Sequence, residues 1–341
     1  MESNEALSRE FILARINLFK KFSMARLPGI CFCAVVVLAS SYISEHYGSS
    51  KVLGALLLGM AFNSVSKYGE FSAGLEFCAT KVLRVGVALL GVRITFNQIV
   101  QLGYRPLVCV GVVVISTLAF SILLAWIMKI DRVKGIISGA AVAVCGASAA
   151  LAVAAILPSN TSTQKHLLCT LVGVTGFSTF AMIVYPGLMT SLGMDPEQIG
   201  IFLGSSIHDV AQVLGAGHMV SQQVAELAIY TKMLRVAMLV PLITVLLFVF
   251  PGSEKRHSFS IPVPPFLIAF VVLIAIANMK LLSTQVIETM AQLSQYGLWL
   301  AMAALGTRIN PVEIWEVGKK PLLLLFLNSV FIGALAFVLV L

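Results

Sequence analysis

The chain has 341 residues, of which 59% are hydrophobic and 11% charged, with a mean hydropathy of +0.97 and a formal net charge of +8. A soluble domain carries about 25% charged residues, so a water-soluble globular class is excluded. Long apolar runs without ten-residue alternation exclude a β-barrel, and in such a chain the basic excess reads as loop topology, not as nucleic-acid binding.

The N-terminal stretch REFILARINLFKKFSMAR (9–26) mixes Phe11, Ile12, Ile16, Phe19 and Phe22 with Arg15, Lys20, Lys21 and Arg26. This pattern predicts a basic amphipathic segment over 1–27 lying on the cytoplasmic membrane surface. A loosely ordered leader is the plainer reading. From 28 to 341 the sequence reads as one transmembrane domain. Apolar stretches predict eleven spans: 28–46, 51–65, 74–93, 106–128, 135–157, 165–190, 197–217, 225–250, 263–279, 290–308 and 321–341. Pro28, Pro106, Pro264 and Pro321 stand at span starts, where a helix tolerates them.

With the N-terminus inside, the cytoplasmic segments hold the leader, Lys67, Lys129, Arg132, Lys134, Lys255, Arg256, Arg308, Lys319 and Lys320. The outer segments hold Lys51, Arg93, Arg105, Lys165 and Lys280. The asymmetry predicts a cytoplasmic N-terminus and an outside C-terminus in a bacterial inner membrane. The six cysteines (31, 33, 78, 109, 145 and 169) show neither zinc nor disulfide spacing and read as small buried residues.

The segment LRVGVALLGVRITFNQIVQLGYRPL (83–107) matches GLWLAMAALGTRINPVEIWEVGKKPL (297–322) at a gap-free offset of 215. Gly91 meets Gly306, Arg93 meets Arg308, Pro106 meets Pro321, and upstream Asn63 meets Asn278. The copies, about 51–128 and 263–341, start an odd number of spans apart and so predict inverted repeats, a mark of secondary transporters. The two asparagines alone would read as span caps.

Several costly groups fall mid-span. Cys145, Gly146, Ala147 and Ser148 sit in the middle of 135–157, and His208, Asp209 and Gln212 in GIFLGSSIHDVAQVLGAG (200–217). Arg84 with Lys81, and Arg235 with Lys232, lie inside spans too. Ionisable groups at such depth face a cavity or a partner. The bland alternatives are ion pairs of Arg84 and Arg235 with Glu76, Asp209 or Glu226, a hydrogen-bonded neutral His208, and close packing through the small residues. Cations outnumber acids at this depth, which favours an anionic substrate. A helix interrupted at Gly146 would add free backbone N–H groups that bind anions. GSSIHD has the same loosened texture, so two interrupted helices are predicted to meet, with Ser148 and the backbone of 145–147 contacting substrate and Arg84 and Arg235 supplying charge. His208, Asp209 and Gln212 are assigned to coupling or orientation. Counted as crossings, 135–157 and 197–217 run parallel, whereas an inverted pair should be antiparallel. Either the count near 165–217 is off, or the second break lies elsewhere, around Gly306.

VAVCGASAALAVAAILP (142–158), the paired GVALLGVRITF and AALGTRINP segments, and IHDVAQVLGAG together resemble the YeiH-type family, to which sulfate export is attributed. The likeness runs from about 28 to the end. It implies kinship with cation/proton antiporters and anion transporters: an all-α polytopic fold of about eleven transmembrane helices, inverted repeats, two discontinuous crossing helices, and alternating access between two domains. The expected function is secondary active export of a small anion, sulfate or a related sulfur oxyanion, coupled to H+ or Na+. The rival is a cation/proton antiporter with Asp209 as ion carboxylate. An enzyme is not expected, because no HExxH, GxGD or serine-protease pairing occurs. The expected partners are the anion, the coupling ion and the lipid bilayer, without cofactor, metal or nucleic acid; the sequence allows a homodimer.

Overall fold

The computed structural model describes residues 25–47, 51–97, 100, 103–158, 161–250, 264–279, 281–308 and 319–341, and no strand occurs among them. The amphipathic stretch 9–26 lies outside the described residues except for its last two. Every stretch predicted as a span carries helix. The helices are α1 (Leu27–Tyr47), α2 (Lys51–Ala61), α3 (Gly69–Phe77), α4 (Leu83–Leu89), α5 (Arg105–Ile127), α6 (Arg132–Ala140), α7 (Ala147–Ile156), α8 (Thr161–Ser191), α9 (Pro196–Ser206), α10 (Val210–Val220), α11 (Gln222–Ala237), α12 (Leu239–Val249), α13 (Pro265–Asn278), α14 (Thr284–Arg308) and α15 (Lys319–Val340). Five continuous stretches, 27–46, 105–127, 161–191, 222–249 and 319–340, are long and apolar enough to cross a membrane. The protein is an all-helical, multi-pass membrane protein.

Contacts divide the chain into two units. The first comprises Met1–Gly86 with Gln295–Ile309, the second Val87–Ser294 with Asn310–Leu341. In the first, Gly59 on α2 lies against the Ala303 carbonyl, Gly306 lies against the Leu56 carbonyl, and Asn63 donates to the Thr307 carbonyl at 2.8 Å. The lack of a side chain at Gly59 and Gly306 lets these backbones touch. In the second unit Gly91 lies against the Phe270 carbonyl, while Asn278 donates to the Ile94 carbonyl at 2.9 Å and accepts from the Phe96 N–H at 2.7 Å. The residues that matched at the 215-residue offset therefore make the same kind of contact in each unit.

The second unit departs from the sequence reading at both interrupted stretches. Lys134 donates to the Ser162 hydroxyl at 2.7 Å, Ser138 and His166 share a 2.8 Å hydrogen bond, and Gly146 faces Val174. Each pair is 28 residues apart, so the arm from Arg132 to Cys145 runs parallel to α8 and in register with it. α7 must bring the chain back from the level of Val174 to that of Thr161. Laid end to end, residues 132–156 would reach about 37 Å, and the five residues to Thr161 close at most about 18 Å. The chain therefore folds back at Gly146, and α7 packs on both α6 and α8.

The second stretch repeats the device. Gly200 lies against Leu227 and Gly204 against Thr231, so α9 runs parallel to α11. Gly217, near the far end of α10, meets Ala225 near the start of α11, so α10 has returned to that level. The expectation of single spans over 135–157 and 197–217, and of two crossing helices, is thus corrected: each stretch is a helical hairpin with its tip in mid-chain. The parallel-direction difficulty disappears with it. The second break is at Ile207–Asp209, and around Gly306 α14 is continuous.

Candidate functional site

The first tip is made by a π turn, Ala141–Cys145, whose last bond runs from the Gly146 N–H to the Ala141 carbonyl at 2.8 Å. Gly146 then adopts φ 63° and ψ −127°, a conformation that side-chain-bearing residues avoid. The second tip follows Ser206. Ile207 is extended (φ −70°, ψ 138°), and Asp209 caps α10 by accepting the Ala211 N–H at 3.2 Å. The Asp209 N–H is itself held by the Ser178 hydroxyl at 3.1 Å.

The tips meet. A Cβ built on Gly146 would stand 3.2 Å from Val174 Cγ1 and 3.5 Å from the His208 carbonyl oxygen. Two side chains from α11 lock them together. Lys232 Nζ donates to the carbonyls of Val144 (2.7 Å), Ile207 (3.0 Å) and His208 (2.6 Å). Arg235 donates through Nε to Ala143 (3.0 Å), through Nη1 to Gly204 (3.0 Å) and Ile207 (2.9 Å), and through Nη2 to Val142 (2.7 Å). Both residues are 0% exposed. The logic is electrostatic: each incoming arm ends in unpaired carbonyls and the negative end of its dipole, deep in an apolar interior. An ammonium has three donors and here meets three carbonyls; the guanidinium fork is broad enough to serve both arms.

The structure brings Cys145, Gly146, His208, Asp209 and Arg235 together as the sequence suggested, but distributes their tasks differently. Arg235 serves backbone carbonyls rather than Asp209, Glu226 or an open cavity. Glu226 pairs instead with Arg93 at 3.1 Å and accepts from Gln222 at 2.9 Å. Arg84 belongs to the first unit and is exposed there, as is Lys81, so Arg84 is not one of the buried cations of the tips. Gln212 is buried, and neither of its amide atoms has a hydrogen-bond partner among the described residues. His208 Nε2 is 2.8 Å from the Ser329 hydroxyl, which donates to the Leu325 carbonyl, while its Nδ1 is buried without such a partner.

The four helix ends at the tips are not treated alike. The two arriving ends are covered by Lys232 and Arg235, and the start of α10 by Asp209. The start of α7 is capped by Gly146 and carries no side-chain cap; Ala147 there is half-buried and Ser148 exposed. Its first N–H groups have no carbonyl one turn back to bond. Sequence reasoning missed Ser329 and Ser178. The one signal for Ser329 was the Asn-Ser pair interrupting LLLLFLNSVF (322–331). No cluster of three metal-ligating side chains occurs among the described residues.

Comparison with known proteins finds relatives of the chain. A family model described as conserved hypothetical protein 698 matches residues 28–325. A UPF0324 membrane protein of Chlorobaculum tepidum is 39% identical over 315 residues, spanning 90% of this chain and 87% of its own. The UPF0324 membrane protein TauZ of Paracoccus denitrificans is 36% identical over 314 residues, spanning 91% and 93%. These matches agree with the YeiH-type resemblance. No solved structure matches the chain.

Proposed function

The chain belongs to the conserved hypothetical protein 698 family, and we propose that it is a secondary active transporter exporting a small anion, sulfate or a related sulfur oxyanion, by alternating access coupled to H+ or Na+. The observation that carries this reading is the start of α7, which no charged side chain covers. Of the four helix ends at the tips, this positive one alone has no charged or hydroxyl group capping it; only the Cys145 thiol reaches it, at the Ala149 N–H, and its Ser148 is exposed. Backbone N–H groups and a helix dipole at such an end favour an oxyanion. Asp209 already serves as the cap of the other return arm, which makes it a poorer candidate for a cation-carrying carboxylate.

In this reading the hairpins are re-entrant and enter from opposite faces of the bilayer. Irregular backbone at membrane depth is tolerated where it is buried in protein or lines a cavity. Removing the two hairpins from the eleven stretches leaves nine crossings, which keeps the two chain ends on opposite sides. Lys165 then joins Lys129, Arg132 and Lys134 on one side, strengthening the charge asymmetry that marks it as cytoplasmic. At the other end a cleft of about 190 Å³ gathers Tyr104, Arg105, Glu197, Gln198, Val340 and Leu341, as this assignment requires. The paired contacts of Gly91 and Gly306, and of Asn63 and Asn278, support an inverted duplication.

The test is counterflow in proteoliposomes with labelled sulfate, sulfite, thiosulfate and small sulfonates, at several pH values, with and without sodium. Saturable flux of at least one anion is expected, reduced by Ser148→Ala in a protein that melts like wild type. Sodium or potassium flux against protons, indifferent to every anion, would instead establish the antiporter.

A further inference from the structure

The outer face of the second unit holds a trough of about 570 Å³, lined by Ala119, Ile122, Leu123, Trp126, Ile130 and Arg132. Five of the six lining residues are apolar or aromatic and line α5 and the turn after it; Arg132 opens α6 at one end. Trp126 is 75% exposed and Leu123 is also exposed, so this face presents hydrocarbon outward on a helix that is itself long and apolar enough to span a bilayer. At the basic end Lys129 and Arg132 are both exposed. Asp131 between them turns its carboxylate onto the Val133 N–H at 2.9 Å, as the cap of α6, and Lys134 is held by Ser162. A Trp beside exposed cations, at one end of an apolar trough, is the chemistry of the headgroup boundary.

We propose that this trough is a binding site for an anionic phospholipid, one acyl chain lying along Ala119–Trp126 and the phosphate meeting Arg132. The site is independent of the transported species and requires only that α5 spans the bilayer. A zwitterionic lipid fills the same trough but gains less from the cation at its mouth. One basic residue near an anionic surface is worth about fivefold in binding.

Native mass spectrometry of the full chain tests this, with phosphatidylglycerol or phosphatidylcholine of identical chains added to delipidated protein. Wild type should retain phosphatidylglycerol about fivefold better than phosphatidylcholine. Arg132→Gln, an exposed position that leaves folding alone, should abolish the preference while keeping phosphatidylcholine binding. Ala119→Trp, which fills the trough, should lower both. Equal retention of the two lipids by wild type, or a preference unchanged in Arg132→Gln, overturns the proposal. So does displacement of the lipid by inorganic phosphate, which would mean a free-anion site. Cross-linking of Trp126→Cys between two copies, which would mean a protein-covered face, overturns it too.

Discussion

Lys232 donates to the carbonyl of Val144 at 2.7 Å, joining α11 to a hairpin tip 88 residues earlier in the chain. The same ammonium holds Ile207 and His208, so one side chain satisfies the ends of both incoming arms. Lys232→Met keeps the apolar stem and removes all three donors. Ile207 keeps its bond from Arg235, so the carbonyls of Val144 and His208 are the ones left unpaired; at about 1–3 kcal/mol each, the change should destabilise the protein by about 2 kcal/mol or more. A thermal melt in detergent measures it. A melt equal to wild type would show that the tips do not depend on this cation.

Gly146 is the position where a single methyl group should matter most. Its φ of 63° and ψ of −127° are costly for any L-residue, and an added Cβ would also press on Val174 at 3.2 Å. Strain of this kind costs about 1–3 kcal/mol. Gly146→Ala should therefore lower the melting temperature and reduce flux further than stability alone explains, because the start of α7 is re-aimed. Gly187, with nothing within 4 Å of an added Cβ, is the control: Gly187→Ala should be neutral or slightly stabilising.

The hairpins make a topological prediction that differs from single spans. Lys134 and Ser162 touch, so Thr161 must lie on the same membrane side as Lys129. Cysteines placed at 129 and 161 in a cysteine-free background should be labelled by an impermeant maleimide from the cytoplasmic side. A cysteine at Glu197 should be labelled only from the outside, with Arg105. Labelling of 129 and 161 from opposite sides would restore the crossing helix.

Much of the site was legible because its chemistry breaks the apolar pattern. Gly146 beside a hydroxyl, and His208–Asp209 in mid-run, mark the two tips correctly because hydrocarbon tolerates such groups only for a reason. The hairpins were not legible. An arm and its return, as in 132–156, have the summed length and hydropathy of one crossing, and direction is set by contacts such as Ser138 with His166 that lie 28 residues apart. The cations are legible, but the partners the sequence suggests for them are a substrate anion or carboxylates. Backbone carbonyls have no letter in the sequence, so the task of Lys232 and Arg235 appears only once both arms are in place. Arg84 looked equivalent to Arg235 by position within a span, yet one is exposed and the other fully buried. Span position does not determine which face of a helix a residue occupies.

Arg93 and Glu226 form an ion pair at 3.1 Å with side chains 29% and 17% exposed. Because both remain partly in contact with solvent, the pair should contribute little: a double-mutant cycle with Arg93→Gln and Glu226→Gln should give a coupling of about 0.5–1 kcal/mol. Gln222 also bonds Glu226, so the Glu226 change should cost more than the Arg93 change. A coupling of several kcal/mol would mean a desolvated pair that helps hold α11 in place.

Ser148 offers the sharpest functional test, because the second hairpin already shows what an internal anion does there. Asp209 places a carboxylate on the start of α10, whereas the start of α7 has no carboxylate, only the Cys145 thiol at the Ala149 N–H. Ser148→Asp would bring a carboxylate into the first turn of α7 at an exposed position. Charge of that sign there is favourable to the helix by about 0.3–1 kcal/mol, so the protein should melt no lower than wild type. The same carboxylate would compete for the N–H groups that the substrate is proposed to use, and anion flux should fall to background. Ser148→Asn, similar in size and uncharged, should retain measurable flux. Stability and flux are thus expected to move in opposite directions in Ser148→Asp, a combination that simple damage to the fold does not produce. Full flux in Ser148→Asp would remove the start of α7 from the transport path.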